Sequence, residues 1–300
     1  MAASAPTAAD SAAAGHTPPS GRLRRWWPYL LLAPGLLWLL LFFFVPMVTL
    51  FQTSLQEGSL QQGYVLTFRW ANYSDALTQF ASQYLRSFFY AGTATIGALL
   101  LGYPLAYFIA FRAGRLRNVF LLLVIMPLLV SFLVRTLAWK IILADQGPLV
   151  ETFKAVGVLP QSGRLLATSW AVVAGLTYNY LPFMVLPLYA SLEKIRPQLI
   201  EAASDLYASP FTAFRKVTFP LSLPGVVAGT LLMFIPAAGD FVHAEFLGTP
   251  SQYMIGNVIE SRFLVALDYP TAAALSFVLM ATILVLVLIY LNRVDVEDVL

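Results

Sequence analysis

Long uncharged stretches separated by short charged segments dominate the pattern of this 300-residue chain. Asp, Glu, Lys and Arg are costly at the centre of a bilayer, whereas about 20 apolar residues in a helix suffice to cross it. Five stretches without these four residue types are long enough, and a sixth is interrupted only by Arg135 and Lys140. We therefore predict six membrane-spanning helices, over residues 28–51, 86–111, 118–143, 168–190, 222–241 and 270–292.

The composition agrees with an all-α polytopic membrane protein. Hydrophobic residues make up 59% of the chain and charged residues only 11%, too few to cover the surface of a soluble protein of this size. The chain has no cysteine, which excludes a disulfide framework, a thiolate metal site and a cysteine nucleophile. No metal site is predicted.

Basic residues are distributed unequally between alternate loops. With the N-terminus inside, the inner segments hold eleven Lys and Arg and the outer segments five, while Arg135 and Lys140 lie in the third span. Short cytoplasmic loops are enriched in basic residues, so both termini are expected in the cytoplasm. Residues 1–25, rich in Ala, Ser, Thr and Pro, are expected to be a disordered cytoplasmic tail before a transmembrane domain over residues 26–300.

Arg135 is a polar residue that needs an explanation inside a predicted span. It lies 17 residues after Asn118, about 25 Å along its helix at 1.5 Å per residue, and so towards the outer leaflet. Two interpretations stay open. The side chain either snorkels outward or bonds loop carbonyls, which we favour, or it forms a wall of a water-filled path.

The outer end of the fifth span carries a second group of candidates in the sequence GDFVHAEF. Pro236 is expected to disturb the turn before it and to free backbone carbonyls. The outer segments hold eight acidic residues against five basic ones, which agrees with a cationic solute and equally with the orientation rule or with contacts to a binding protein. Asp240 and Glu245 are therefore candidates for a substrate pathway, whereas His243 alone is weak evidence for a metal.

The inner segment over residues 191–220 is predicted to form two short helices. Pro197 suits the first turn of one helix, and Ser209 with Pro210 forms an N-cap and N1 pair for the other, which Pro220 and Pro224 are expected to end. The segment is too apolar to be a tether and too short to have its own core. It therefore needs a partner surface, most plausibly of another protein.

This segment resembles the EAA loop of ATP-binding-cassette importer permeases in its Glu201-Ala202-Ala203 sequence, its Pro220 and the spacing between them. In that family Glu-Ala-Ala is followed by three residues, Gly, nine residues, an aliphatic residue, one residue and Leu-Pro. This chain departs from the family pattern at two positions, where Tyr207 replaces Gly and Phe219 replaces Leu. We predict that the first helix continues through Tyr207 in right-handed geometry, with its ring packed against the ATPase.

Three further segments resemble the spermidine/putrescine branch of this family: SFLVRTLAW at 131–139, LPFMVLPLYASLEKI at 181–195 and FIPAAGDFV at 234–242. The resemblance implies a type I importer permease bundle in the bacterial inner membrane. It also implies a second homologous permease subunit, cytoplasmic ATPase subunits that bind ATP and Mg²⁺, and an extracytoplasmic binding protein. Rings such as Tyr180 could stack on a polyamine, although lipid-facing aromatic belts explain most of the aromatics.

The resemblance also assigns roles to the inner loop. Glu201 would face a basic residue of the ATPase and would gain from the dipole at the start of its helix. The surface that couples to the ATPase would consist of Glu201, Ala202, Ala203, Tyr207 and Pro220. For Glu201 the alternative is an acid that only stabilises its own helix.

The chain itself shows no catalytic motif. It has no G-x-x-x-x-G-K-[ST], H-E-x-x-H or G-x-S-x-G sequence, so we expect a transport subunit that is not an enzyme and binds no cofactor or nucleic acid. A permease for another small solute, such as an organic cation, an amino-acid derivative or an ion, is the alternative. An autonomous secondary transporter is less favoured, since it would show inverted repeats or a relay of intramembrane ionisable residues.

Overall fold

The computed structural model describes residues 23–293, and side chains from residue 31 to 292, and these residues are helical almost throughout. The predicted tail over residues 1–25 therefore lies almost wholly outside the described residues. The α-helices are α1 (Leu23–Leu39), α2 (Val45–Ser54), α3 (Ala71–Phe111), α4 (Arg117–Ile125), α5 (Phe132–Ile142), α6 (Pro148–Ala155), α7 (Ser169–Leu192), α8 (Pro197–Asp205), α9 (Pro210–Ala213), α10 (Phe219–Ala238), α11 (Val242–Leu247), α12 (Ile255–Glu260) and α13 (Tyr269–Arg293).

Shorter elements join these helices. The antiparallel strands β1 (Gln56–Ser59) and β2 (Gly63–Leu66) form a hairpin. The π-helical turns are Leu40–Phe44, Phe214–Thr218 and Ser261–Val265, and the 3₁₀ turns are Gly114–Leu116, Met126–Leu129 and Pro250–Gln252.

The chain divides into two units, residues 1–50 and residues 51–300. In the described part of the first unit, the large apolar side chains between Leu31 and Phe44 are exposed, as suits a lipid-facing helix. The second unit contains a buried core around α3, α7 and α10.

Within residues 23–293, five helical stretches are long and apolar enough to cross a membrane: Leu31–Ser54, Ala71–Phe111, Ser169–Leu192, Pro210–Ala238 and Tyr269–Asn292. A sixth span results if the bent pair Gly114–Leu129 and Phe132–Ile142 is counted as one. The predicted all-α membrane architecture is thereby confirmed.

The third predicted span is not the single straight helix that we expected over residues 118–143. Its first half ends at Leu129, Val130 is extended, and α5 begins after a bend of 95°. Pro127, which lacks a backbone N–H, lies in the 3₁₀ turn that ends the first half. The bend, and not the rise along a straight helix, therefore determines where Arg135 lies.

α7 and α10 cross closely because two glycines lie four residues apart on α10. A Cβ at Gly225 would lie 2.7 Å from the carbonyl oxygen of Pro187, and a Cβ at Gly229 would lie 3.0 Å from that of Met184. Small residues at this spacing allow two membrane helices to bring their backbones together. The crossing fixes α10 against the middle of the bundle.

The two predicted helices of the inner segment are present as α8 and α9, and the Oγ of Ser209 accepts a hydrogen bond from the Thr212 N–H at 3.3 Å. The prediction that Pro220 and Pro224 end the second helix was wrong. α9 continues through a π-helical turn into α10 as one helix, Pro210–Ala238. Pro220 falls in the first turn of α10, directly after the wider π turn, where its missing N–H is tolerated.

Candidate functional site

A pocket of about 760 Å³ lies between the start of α5, the middle of α7 and the end of α10. Its wall includes the chain at the bend before α5 and the break between α10 and α11. Three of the four predicted pathway residues, Arg135, Tyr180 and Asp240, line this one pocket. The structure thus brings together side chains from three separate parts of the sequence.

Asp240 occupies the break between α10 and α11. α10 ends at Ala238, two residues after Pro236, and the Asp240 Oδ1 accepts a hydrogen bond at 2.9 Å from the backbone N–H of His243 in the first turn of α11. A carboxylate there also gains from the N–H groups that begin a helix. The carboxylate is buried and held at the pocket wall.

His243 joins this carboxylate to α7. Its Nδ1 lies 3.0 Å from both oxygens of Asp240, and its Nε2 lies 2.5 Å from the Nδ2 of Asn179. Because a carboxylate only accepts hydrogen bonds, Nδ1 carries the proton that faces Asp240. The Tyr180 hydroxyl donates to the Asp240 Oδ2 at 3.1 Å. The donors to Asp240 are therefore a backbone amide, an imidazole and a phenol.

Arg135 lies on another part of the pocket wall. The residue is 9% exposed, its Nε and Nη1 atoms are buried without a hydrogen-bond partner, and its Cζ lies 5.9 Å from the ring centre of Phe132. It forms no ion pair with any side chain that the structure describes. The bend before α5 places Arg135 in the wall of this pocket, and both interpretations of its role stay predictions.

Glu245, the fourth predicted pathway residue, does not line the pocket. It is exposed on α11, and its Oε2 lies 3.5 Å from the Nδ2 of Asn257. It also accepts a hydrogen bond from Tyr253, and this bond, together with partial burial, raises the pKa of the Tyr253 hydroxyl. Glu245 therefore holds neighbouring chain segments in place.

Asn179 was missed at the level of sequence, and His243 was considered only as weak evidence for a metal. Asn179 is a polar residue in the middle of an uncharged span, and His243 follows Asp240 by three residues, which is one helical turn. Both features can be seen in the sequence, but the contact between the Asn179 and His243 side chains depends on the packing of α7 against α11. Within residues 23–293, no cluster of three or more His, Cys, Asp or Glu side chains could hold a metal.

The surface formed by α8 and α9 is the second candidate site. Three of the predicted coupling residues are exposed, namely Glu201, Ala202 and Pro220, and Ala203 is partly buried. Glu201 is the fifth residue of α8, beyond the first turn, so the gain that we expected from the helix dipole is small.

Large apolar side chains make this surface unusual. Leu206 is 81% exposed, Tyr207 99% and Phe211 70%. We name this exposed surface, Glu201 to Phe211, the α8–α9 face. These apolar side chains are mostly exposed, which is typical of a surface that contacts another molecule.

The prediction that Tyr207 continues α8 in right-handed geometry was wrong. Tyr207 has φ 57°. The Ala208 N–H donates to the Ala203 carbonyl at 3.1 Å and the Tyr207 N–H to the Ser204 carbonyl at 2.9 Å, the two hydrogen bonds of a Schellman motif. Ser209 must begin a new helix two residues later, so the chain has to reverse at once, and the residue at this point takes the left-handed conformation that glycine adopts most easily.

Comparison with known proteins places these features in a family. Residues 98–294 match the family described as binding-protein-dependent transport system inner membrane component. The chain is 38% identical over 254 residues, 84% of this chain and 88% of the relative, to "Spermidine/putrescine transport system permease protein PotB" of Salmonella typhimurium (strain SL1344). It is 33% identical over 231 residues, 72% of each chain, to "Inner membrane ABC transporter permease protein YdcU" of Escherichia coli (strain K12).

A solved structure shares the fold. One chain of a bacterial ABC transporter involved in the import of the acidic polysaccharide alginate superposes with a TM-score of 0.65 at 18% identity, covering 91% of this chain and 97% of that one. The sequence matches confirm the resemblance to importer permeases and the predicted role as a multi-pass transport subunit. This chain belongs to the family of binding-protein-dependent transport system inner membrane components.

Proposed function

We propose that this chain is a permease subunit of an ATP-driven importer of polyamines such as spermidine and putrescine, in the bacterial inner membrane. The observation that carries the proposal is the 38% identity over 84% of the chain to a relative named as a spermidine/putrescine permease. Another small solute is the alternative, and a secondary transporter is a weaker one.

The chemistry of the pocket supports a cationic substrate. Asp240 is a buried carboxylate in the pocket wall that the His243 amide, the His243 imidazole and the Tyr180 hydroxyl contact, and a ligand ammonium would give it a cationic partner. Phe132 and Phe183 lie beside Tyr180, with ring centres 6.1 and 6.2 Å from its own. Aromatic faces next to a carboxylate suit the ammonium and methylene groups of a polyamine.

The α8–α9 face supports coupling to a separate ATPase. Its exposed Leu206, Tyr207 and Phe211 need a protein surface, and α9 runs without a break into α10, which ends at the pocket. A movement of the docked ATPase would therefore reach Asp240 through a single helix. The energy of ATP hydrolysis would come from that partner, which carries ATP and Mg²⁺.

The proposal includes two further partners. A second homologous permease subunit would complete the path, and an extracytoplasmic binding protein would deliver the substrate, as the family description implies. The exposed apolar side chains of α10 and α13, among them Leu232 and Met280, are available to the second subunit and to lipid.

Purification of the complex from native membranes tests this proposal. We expect ATPase subunits and a second permease to co-purify with this chain. In proteoliposomes that contain the binding protein, we expect spermidine and putrescine to stimulate ATP hydrolysis and to be taken up only when ATP is present. Uptake without ATP would establish a secondary transporter, and ATPase stimulation by another solute alone would overturn the polyamine assignment.

A further inference from the structure

Two buried charges of opposite sign lie in one pocket without pairing to each other. Asp240 and Arg135 both line it, yet they form no ion pair at 4.0 Å or less in the part of the chain that the structure describes. A buried charge without a partner is costly, and such residues in membrane proteins mark paths for ions or substrates. Arg135 has no such partner, whereas Asp240 has hydrogen-bond donors but no arginine or lysine beside it among the described residues, so both residues need a functional explanation.

We propose, on the basis of the polyamine-importer function above, that Asp240 binds a substrate ammonium and that Arg135 opposes this binding as a resident cation. Arg135 thereby weakens the occupancy of the pocket and promotes release towards the inner face. The two residues together set the affinity of the transmembrane path, separately from that of the binding protein.

Asp240 is prepared for an ammonium by its surroundings. Three donors hold it: the His243 amide, the His243 imidazole Nδ1 and the Tyr180 hydroxyl. The His243 Nδ1 is shared between the two carboxylate oxygens, so a ligand ammonium would join these donors at Asp240. Since His243 is itself fixed by Asn179, the carboxylate cannot turn away, and a ligand meets a preformed acceptor.

Arg135 has the properties of an opposing charge. Its guanidinium stays protonated in proteins, and two of its nitrogen atoms are buried without a hydrogen-bond partner. A second cation in the same pocket is repelled, and the repulsion is screened less than in bulk water because the wall is largely apolar. A transport site benefits from this, since its substrate must bind well enough to enter and weakly enough to leave.

A different ligand chemistry would use the same two charges in another way. A zwitterion could place its ammonium at Asp240 and its carboxylate at Arg135, and Arg135 would then strengthen binding. Putrescine and ornithine provide a matched pair of probes, because ornithine has the two amino groups and the four-carbon chain of putrescine together with a carboxylate. The sign of the effect of Arg135 separates the two cases.

The experiment measures equilibrium binding of radiolabelled spermidine, putrescine and ornithine to the purified permease–ATPase complex in nanodiscs without the binding protein. The variants are Arg135→Gln and Asp240→Asn, with Arg164→Gln as a matched control because Arg164 is an exposed arginine paired with Asp145. We expect Arg135→Gln to lower the Kd of spermidine and putrescine about tenfold, as one opposing charge at partly screened range would. Asp240→Asn should raise it at least about tenfold, and the control should leave it unchanged.

The outcomes separate this inference from the proposed function. A tighter Kd in Arg135→Gln cannot result from misfolding, so this variant tests the inference even if Asp240→Asn does not fold. Weaker spermidine binding in Arg135→Gln, or ornithine binding that exceeds putrescine binding and depends on Arg135, overturns it. If the wild-type complex takes up polyamines normally while both variants bind them like wild type, the inference fails and the importer function stands. If the wild-type complex neither binds nor transports polyamines, the proposed function fails.

Discussion

Replacement of Tyr207 by glycine tests the unexpected end of α8. Tyr207 has φ 57°, a region that costs an ordinary L-residue about 1–2 kcal/mol. Its side chain is 99% exposed, so its removal loses no buried contact within the described residues. Glycine also gains freedom in the open state, which offsets part of the benefit. We expect a net stabilisation of the helix end of about 1 kcal/mol.

The assay is amide hydrogen exchange of the peptide over residues 197–210 in the purified permease without the ATPase. The Ala208 N–H donates to Ala203 across the turn, so it exchanges only when the end of α8 opens. A stabilisation of about 1 kcal/mol slows exchange about fivefold, since 1.4 kcal/mol corresponds to tenfold. Tyr207→Ala is the control, because alanine removes the ring but retains the Cβ that disfavours this conformation.

The same variants report on the ring. If Tyr207 packs on the ATPase, the glycine and alanine variants both lose coupling between ATP hydrolysis and transport, although only glycine stabilises α8. Equal exchange rates in the two variants would refute the left-handed conformation at Tyr207. Normal coupling in both would show that its ring contributes nothing to docking.

Three further predictions follow from the fold. Gly225→Ala should lower the yield and thermal stability of the folded permease, because its Cβ would lie 2.7 Å from a backbone carbonyl. Gly92→Ala is the control and should change neither, because no neighbouring atom lies within 4 Å of a Cβ there. Fluorescence size-exclusion chromatography compares the two variants. Glu201→Lys should uncouple ATP hydrolysis from transport while membrane insertion persists; wild-type transport in this variant would remove the assigned role of Glu201. Ser209→Ala removes the N-cap of α9 and should destabilise it by about 1 kcal/mol, seen as faster amide exchange over residues 210–213; an unchanged rate would contradict a capping role.

The spans and the two inner helices were predictable because their signals are local. Uncharged runs set the spans, and Pro197 and the Ser209–Pro210 pair mark where α8 and α9 begin. The bend before α5 was missed, although Pro127 was visible, because one proline inside an apolar run does not determine whether a helix kinks, ends or continues. Pro220 shows the opposite outcome, since the helix continues through it.

The pocket could be predicted only in part. Asp240, Tyr180 and Arg135 were each identified as polar or aromatic residues in apolar surroundings, but their distances depend on how α5, α7 and α10 pack. The prediction of right-handed geometry at Tyr207 was wrong because it followed from the residue type and not from the chain reversal that the new helix at Ser209 requires. The short connection between α8 and α9 determines the backbone conformation at this position, against the conformational preference of tyrosine.

The close crossing at Gly225 and Gly229 has a mechanical consequence for the helix Pro210–Ala238. With the crossing near residue 227 as a fulcrum, the arm towards α8 is about 25 Å long and the arm towards Asp240 about 17 Å, at 1.5 Å per residue. The helix would then pivot about this crossing, with two arms of unequal length. A swing of the ATPase end would move the pocket wall by about two thirds as much and in the opposite direction.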